Sequence, residues 1–404
     1  MSKVYIVAAK RTAIGSFLGS LSTIHPASFA SDVVKNILEE TKLSADKVDE
    51  VIVGNILPAG LGQGVARQVS IKAGIPVEVP AYAVNMVCGS GMKSVMNAYQ
   101  SIQSNMTNII IAGGTESMSK APHLMPEKIR NGIKMGGFQL KDHMIDDALT
   151  DAFNEYHMGI TAENIVSLHN ISREEQDQFA INSQEKAITA IDQGRFKDEI
   201  VPIEVKLRKE TITFEQDEYP NRTTNYEKLS KLRPAFKKDG SVTAGNASGI
   251  NDGASFVLVA SEEAVRANEL KPLVEIIAIG QGGVKPEVMG LGPVPAIQNA
   301  LKMANLNLSD IELLELNEAF AAQSIGVIKE LSANHNESYE DILERTNVNG
   351  GAIALGHPVG SSGNRILVTL IHEMKKRNLT YGLASLCIGG GMGTAIIVKN
   401  VKES

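Results

Sequence analysis

Short runs rich in valine and isoleucine, each closed by glycine or charge, recur along the chain at Val4–Ala9, Val51–Val53, Ile109–Ala112, Ser255–Ala260, Val274–Ile279, Ile311–Leu316, Leu383–Cys387 and Thr394–Val398. Unbroken apolar runs of this length read as strands buried on both faces. Between them the apolar residues recur at helical spacing over Ala30–Thr41, Gly91–Gln103, Arg173–Ile191, Val294–Ala304, Glu318–Ser332 and Asn364–Lys376, the third opened by the capping box Ser172-x-x-Glu175. Strands alternating with helices predict an α/β fold.

Compared with itself, the chain shows a weak internal duplication at an offset of roughly 260–275 residues. Val48–Gly54 matches Ile311–Asn317 in hydrophobic pattern. Further on, Gly89-Ser-Gly91, a helix and Asn108–Gly114 are paralleled by Ser361-Ser-Gly363, a helix and Gly382–Gly390. Coincidence between generic strand–Gly–helix units accounts for either pair alone as well as duplication does, but two in the same order favour duplication. Between the halves, Lys120–Asn246 is more polar and less regular, and reads as an insertion over two cores.

Composition narrows the class. With 404 residues, 43% hydrophobic and 21% charged, the chain exceeds what one hydrophobic core organises and is neither disordered nor fibrous. No apolar stretch approaches the ~20 residues of a membrane-spanning helix. Net charge −7 without tryptophan argues against a nucleic-acid-binding protein. Two cysteines build no disulfide framework. Neither the start at Met1-Ser2-Lys3 nor the end at Glu403-Ser404 carries a targeting signal, so a cytoplasmic location is expected.

The cysteines sit beside glycine at proposed strand ends, in Asn85-Met-Val-Cys88-Gly-Ser-Gly and Cys387-Ile-Gly-Gly-Gly-Met-Gly393. A cysteine at a strand-to-helix turn meets helix N–H groups that lower its pKa, which makes Cys88 a nucleophile candidate; a small buried hydrophobe is the competing reading. Cys387 also fits as filling at the end of an apolar strand. Of eight histidines only His357 lies in a Gly-rich turn, Gly350-Gly-Ala-Ile-Ala-Leu-Gly-His357-Pro-Val-Gly, whereas His25, His123, His143, His169, His335 and His372 sit in contexts suited to solvated faces. Asn317, in Asn-Glu-Ala-Phe-Ala321, sits at the carboxyl end of a strand, where open α/β sheets bind ligands, and fits equally as a helix N-cap.

Together, the blocks around Cys88, Asn317, His357 and Cys387 resemble the thiolase family, in family order and across nearly the whole chain. Ala8–Gly15, Gly113–Met118 and Thr243–Gly253 are similar to further family blocks. The resemblance implies a five-layered α-β-α-β-α fold of two duplicated α/β halves. An N-terminal half would span 1–119 and 247–271, a coenzyme A-binding loop domain 120–246, and a C-terminal half 272–404. It implies a reversible Claisen condensation of two acetyl-CoA to acetoacetyl-CoA and CoA. In that scheme Cys88 is acylated, His357 takes its proton, Cys387 moves the α-proton, Asn317 fixes a water in the oxyanion site, and Gly389 donates its backbone N–H to the acyl oxygen.

By the same resemblance Ser248 and Ala244 contact the pantetheine arm, while His157, Met158, Phe236, Met289 and Phe320 wall the acyl and pantetheine pocket. His157-Met158 is similar to the short-chain biosynthetic branch, where methionine narrows the acyl pocket. The family's nucleotide-contacting arginine aligns with Asn221, which leaves Arg222 as the substitute, within a run of six Lys or Arg and one acid from Asn221 to Lys238. Coenzyme A thioesters are substrates, no further cofactor or metal is implied, and a homodimer or homotetramer is expected. A degradative 3-ketoacyl-CoA thiolase is the alternative. Carrier-protein ketosynthases, with a Cys-His-His set, and non-catalytic acyl-CoA carriers fit the four residues less well. The polar stretch Ala333–Arg345 is expected to be a surface excursion.

Overall fold

The computed structural model describes residues 3–402; the terminal residues weighed above for targeting, Met1, Ser2, Glu403 and Ser404, lie outside them. The main sheet runs through nine strands: β1 (Val4–Thr12), β2 (Glu50–Gly54), β3 (Ala81–Val84), β4 (Ile109–Ser117), β5 (Asn251–Ser261), β6 (Val274–Gly283), β7 (Leu313–Leu316), β8 (Tyr381–Ile388) and β9 (Met392–Asn400). The longer helices are α1 (Pro26–Thr41), α2 (Val65–Lys72), α3 (Ser90–Gln103), α4 (Met158–His169), α5 (Arg173–Asp192), α6 (Pro293–Ala304), α7 (Ala321–His335) and α8 (Val359–Arg377).

The sheet order is β7-β8-β9-β6-β1-β5-β4-β2-β3. Read outward from its centre, β1-β5-β4-β2 mirrors β6-β9-β8-β7. In each half the first strand pairs antiparallel with the next across a register shift, between Ile6 and Ala8 in β1 and between Ile276 and Ala278 in β6. In each, the last two strands are parallel. The halves meet where Tyr5 and Ile6 pair with Glu275 and Val274. This is the duplication inferred from the sequence.

The continuous apolar runs have a geometric cause, because successive residues of a strand face opposite sides of the sheet. In β4, Ile109 and Ile111 enter one core while Ile110 and Ala112 enter another; in β9, Ala395 and Ile397 divide from Ile396 and Val398 in the same way. Helices α1 and α2 cover the outer face of the first half, and α6 and α7 that of the second. Helices α3 and α8 pack on each other and on strands of both halves, forming the middle layer. Five layers result: helix, sheet, helix, sheet, helix.

Two local expectations change. The stretch 333–345 is no loose excursion: α7 runs to His335 and a short helix, Tyr339–Glu344, plugs the fully buried Ile342 into the second core. Nor do all the remaining histidines lie on solvated faces. His143 is buried, His25 caps α1 through Nδ1, and His372 Nε2 lies 2.8 Å from the carbonyl of Ala9.

Candidate active site

The segment after β3 turns sharply into α3, and Cys88 sits in that turn. The turn is strained. Val87 has φ +45°, a conformation a β-branched residue resists, and it persists because Ser90 Oγ donates to the Val87 carbonyl (2.6 Å) and accepts from Met86 N–H (2.9 Å). The clamp presents the Cys88 thiol to a cavity of about 500 Å³.

Cys387 reaches the same cavity from the last turn of β8, fully buried. The β8–β9 hairpin closes over Gly390 (φ +87°) and Gly391 (φ +89°), where a side chain on Gly391 would strike the Val284 carbonyl. This tight hairpin carries the Gly389 N–H to the sulfur of Cys88.

His357 arrives from the other half, just before α8. Its backbone N–H donates to Asn251 Oδ1 (2.9 Å), and its Nδ1 lies 2.6 Å from Ser362 Oγ, which itself donates to the Pro358 carbonyl (2.9 Å). Since Ser362 has one proton and the carbonyl takes it, Ser362 accepts from Nδ1–H, leaving Nε2 as the bare base. The loop is tied to the first half as well: Gly360 N–H donates to Glu116, which also accepts from Asn55 Nδ2, Ile56 N–H and Leu57 N–H.

Asn317 ends β7, 1% exposed, and neither its amide oxygen nor its amide nitrogen has a protein partner. The N-cap reading fails, because α7 starts at Ala321 with Phe320 as its cap. Beside it, Glu318 is held by Ser183 Oγ, Asn347 Nδ2 and Ile353 N–H, which fixes the bend. A buried amide with open hydrogen-bonding capacity suits the water-holding role the resemblance implies.

The cavity wall brings together Cys88, His357, Cys387, His157, Met158, Phe236, Ala244, Ser248, Met289 and Phe320. His157 caps α4 by accepting from Gly159 N–H and stacks on Phe236 at 4.5 Å; Phe236 meets Phe320 edge-on at 6.1 Å. The segment bearing Ser248 is held against Ala319–Ala321 by backbone bonds from Ser248 N–H and Ala321 N–H. Sequence reasoning missed Tyr219, Met118 and Val359 on the same wall, along with Ser362 behind His357. Met118 ends the Gly113–Met118 block, Val359 lies in the Gly-rich turn and Ser362 in Ser361-Ser-Gly363, whereas Tyr219 carried no signal. Arg222 is not on the wall: it is exposed and ion-paired with Asp192.

Electrostatics overturn one expectation. Placement before a helix predicts a lowered Cys88 pKa, but burial pushes the thiol up to about 11, against the pull of the Gly389 and Cys88 N–H groups. Burial pushes Cys387 up further, with Cys88 adding to it. Burial, then the nearby charge of Arg365, holds the His357 imidazole down to about 4. At neutral pH the resting site is therefore two thiols and a neutral imidazole. A thiol, a free imidazole nitrogen and backbone N–H donors converging in a largely apolar cavity define a nucleophilic-cysteine acyl-transfer enzyme.

Comparison with known proteins gives the family. Residues 4–263 match the thiolase N-terminal domain and 270–400 the thiolase C-terminal domain. The acetyl-CoA acetyltransferase of Pseudomonas aeruginosa is 53% identical over 98% of this chain and 99% of its own; that of Escherichia coli is 51% identical over 99% and 100%. Among solved structures, the acetyl-CoA acetyltransferase of Bacillus anthracis superposes with TM-score 0.95 at 41% identity over 99% of both chains. Human mitochondrial 3-ketoacyl-CoA thiolase in complex with CoA superposes with TM-score 0.93 at 43% identity, over 99% and 98%. The chain belongs to the thiolase family.

Proposed function

We propose that the protein is an acetyl-CoA C-acetyltransferase that condenses two acetyl-CoA to acetoacetyl-CoA and CoA, reversibly and through acetyl-Cys88. The reading is carried by the meeting of Cys88, Cys387 and His357 in one cavity with Met158 on its wall. His357 Nε2 takes the Cys88 proton as sulfur attacks the thioester carbonyl, and the oxyanion is held by the N–H groups of Cys88 and Gly389. CoA thiolate leaves and takes the Cys387 proton, which leaves a Cys387 thiolate beside the His357 imidazolium. The raised pKa makes that thiolate a strong base, suited to the weakly acidic α-carbon of a second acetyl-CoA. The enolate oxygen is met by Nε2–H of His357 and a water oriented by Asn317. The enolate carbon attacks acetyl-Cys88, Cys88 leaves as thiolate, and His357 returns its proton, so the cycle balances with no cofactor.

Supporting the acetyl specificity, the Pseudomonas aeruginosa and Escherichia coli relatives, 53% and 51% identical, are named acetyl-CoA acetyltransferase. The deciding experiment is thiolysis of acetoacetyl-CoA against 3-ketoacyl-CoAs of six to ten carbons: preference for four carbons supports the reading, and equal rates would replace it with a degradative 3-ketoacyl-CoA thiolase. We also place the enzyme in the cytoplasm as a homodimer or homotetramer; the exposed apolar residues Met125, Met135, Phe138 and Leu140 favour assembly between copies, and light scattering reads the mass.

A further inference from the structure

Resting on that function, we propose that Lys186 is a positioning residue for the condensation: across a water-sized cavity its ammonium balances the carboxylate of Glu318, which ties Asn317 to the segment that carries His357. Asn347 Oδ1 accepts from Leu316 N–H (2.8 Å), and its Nδ2 donates to the Leu316 carbonyl (2.7 Å) and to Glu318 Oε1 (2.9 Å). Asn317 is thus pinned through its two chain neighbours while its own amide stays open. Glu318 Oε2 accepts from Ile353 N–H (3.2 Å) and from Ser183 Oγ (2.6 Å), which itself accepts from Gly351 N–H (3.1 Å); His357 follows on the same segment. A Cβ on Gly351 would stand 2.2 Å from the carboxylate carbon, so glycine is what lets Glu318 seat there. Both groups that would meet the enolate oxygen therefore depend on one buried carboxylate.

Burial favours the protonated form of such a group, yet each of its partners is a donor that suits the charged form. The balancing cation comes from α5. Lys186, Ser183, Thr346, Asn347 and Glu318 line an internal cavity of about 30 Å³, room for one or two waters among polar partners, and Lys186 is the one cation on its wall. Its Nζ donates to the Thr346 carbonyl (3.2 Å) and pairs with no carboxylate among the described residues, which leaves two N–H groups to give. Burial pulls Lys186 below the ordinary lysine range and pushes Glu318 above the carboxylate range, and each charge opposes the other's shift. The further charges near them are Glu315, two residues back on β7, with Arg365 and Glu373 of α8 and Glu199 beyond it; outside, Lys186 borders an open cavity with Glu185, Arg195, Lys376 and Arg377. All of these stay in place when Lys186 alone is replaced.

The experiment compares the wild type, Lys186→Met, Lys186→Arg, Glu318→Gln and the Lys186→Met/Glu318→Gln double variant in thiolysis of acetoacetyl-CoA as a function of pH. Without its cation the carboxylate takes up a proton at higher pH. The methionine variant is therefore expected to have the acid limb of kcat moved up by about one pH unit, a loss of about 3- to 10-fold on that limb, with KM for CoA within about twofold. Arginine keeps the limb near that of the wild type. Glutamine does not titrate, so Glu318→Gln lacks the limb, and adding Lys186→Met to it lowers kcat no further. A limb that stays where the wild type has it, or losses that multiply in the double variant, overturns the proposal; mere loosening of the fold would lower the melting temperature without moving the limb. Infrared difference spectra over the same pH range, with Glu318→Gln as the blank, follow the protonated carboxyl without turnover. A carboxyl band that persists to higher pH in the methionine variant of a protein that cleaves nothing would refute the reaction and not the role of Lys186, whereas a band that titrates alike in both refutes that role.

Discussion

Replacing Met158 by alanine tests what limits the acyl chain. Met158 is 7% exposed, lines the cavity, and its Sδ lies 3.5 Å from where a Cβ on Gly389 would stand. The sulfur thus abuts the glycine whose N–H addresses Cys88, and the steric reading has a longer acyl chain built out from Cys88 meeting it. Alanine removes Cγ, Sδ and Cε, room for about two to three methylenes at ~0.8 kcal/mol each. A six-carbon substrate, two methylenes longer than acetoacetyl, gains up to ~1.6 kcal/mol, or ~15-fold in relative kcat/KM. The change costs stability as a large-to-small core substitution, near the low end of the ~2–5 kcal/mol range because the space opens into an existing cavity. The assay is kcat/KM for four-, six- and ten-carbon 3-ketoacyl-CoAs with wild type and variant. A six-to-four-carbon ratio that moves less than about twofold would refute the steric argument and put the limit elsewhere on the wall.

Three further outcomes follow from the same geometry. Labelled acetyl-CoA should mark Cys88, and Cys387→Ser should still take up label while losing condensation by ~10²-fold or more; label on Cys387 alone would reverse the roles. Because the folded Cys88 pKa is raised to about 11, its thiol stays protonated as pH climbs through the range where a free cysteine ionises. Iodoacetamide alkylation of Cys88 should therefore keep accelerating through pH 9–10, and a plateau between pH 6 and 8 would reveal a resting thiolate–imidazolium pair instead. Ser362→Ala removes the acceptor that sets the His357 tautomer, and should lower kcat about 5- to 10-fold with KM little changed, checked by steady-state kinetics.

Much of this protein was legible from local pattern. The valine- and isoleucine-rich runs marked eight strands because each strand divides its side chains between two apolar layers, and that demand is written residue by residue. The missed elements lacked such a signal. Strand β3 is an edge strand with Tyr82 and Ala83 exposed, and α4 hides its start behind His157, a cap made by an imidazole where the usual capping residues are absent. The Gly-flanked cysteines and the His357 turn stood out because tight turns and close backbone approach leave glycine in the sequence.

What the sequence by itself determined was the duplicated α/β architecture and the family blocks that single out Cys88, Asn317, His357 and Cys387 as candidates. Tertiary structure alone decided their ionisation and company. Proximity to a helix is a local property and pointed to an acidic thiol, but desolvation sums over every group that surrounds Cys88, and that sum raised its pKa. Charge was visible residue by residue, on the run from Asn221 to Lys238 and elsewhere, while the pairing of Arg222 with Asp192 and the meeting of Lys186 and Glu318 at one cavity depend on segments tens to more than a hundred positions apart. Periodicity is set by neighbours along the chain; solvation and pairing are set by neighbours in space.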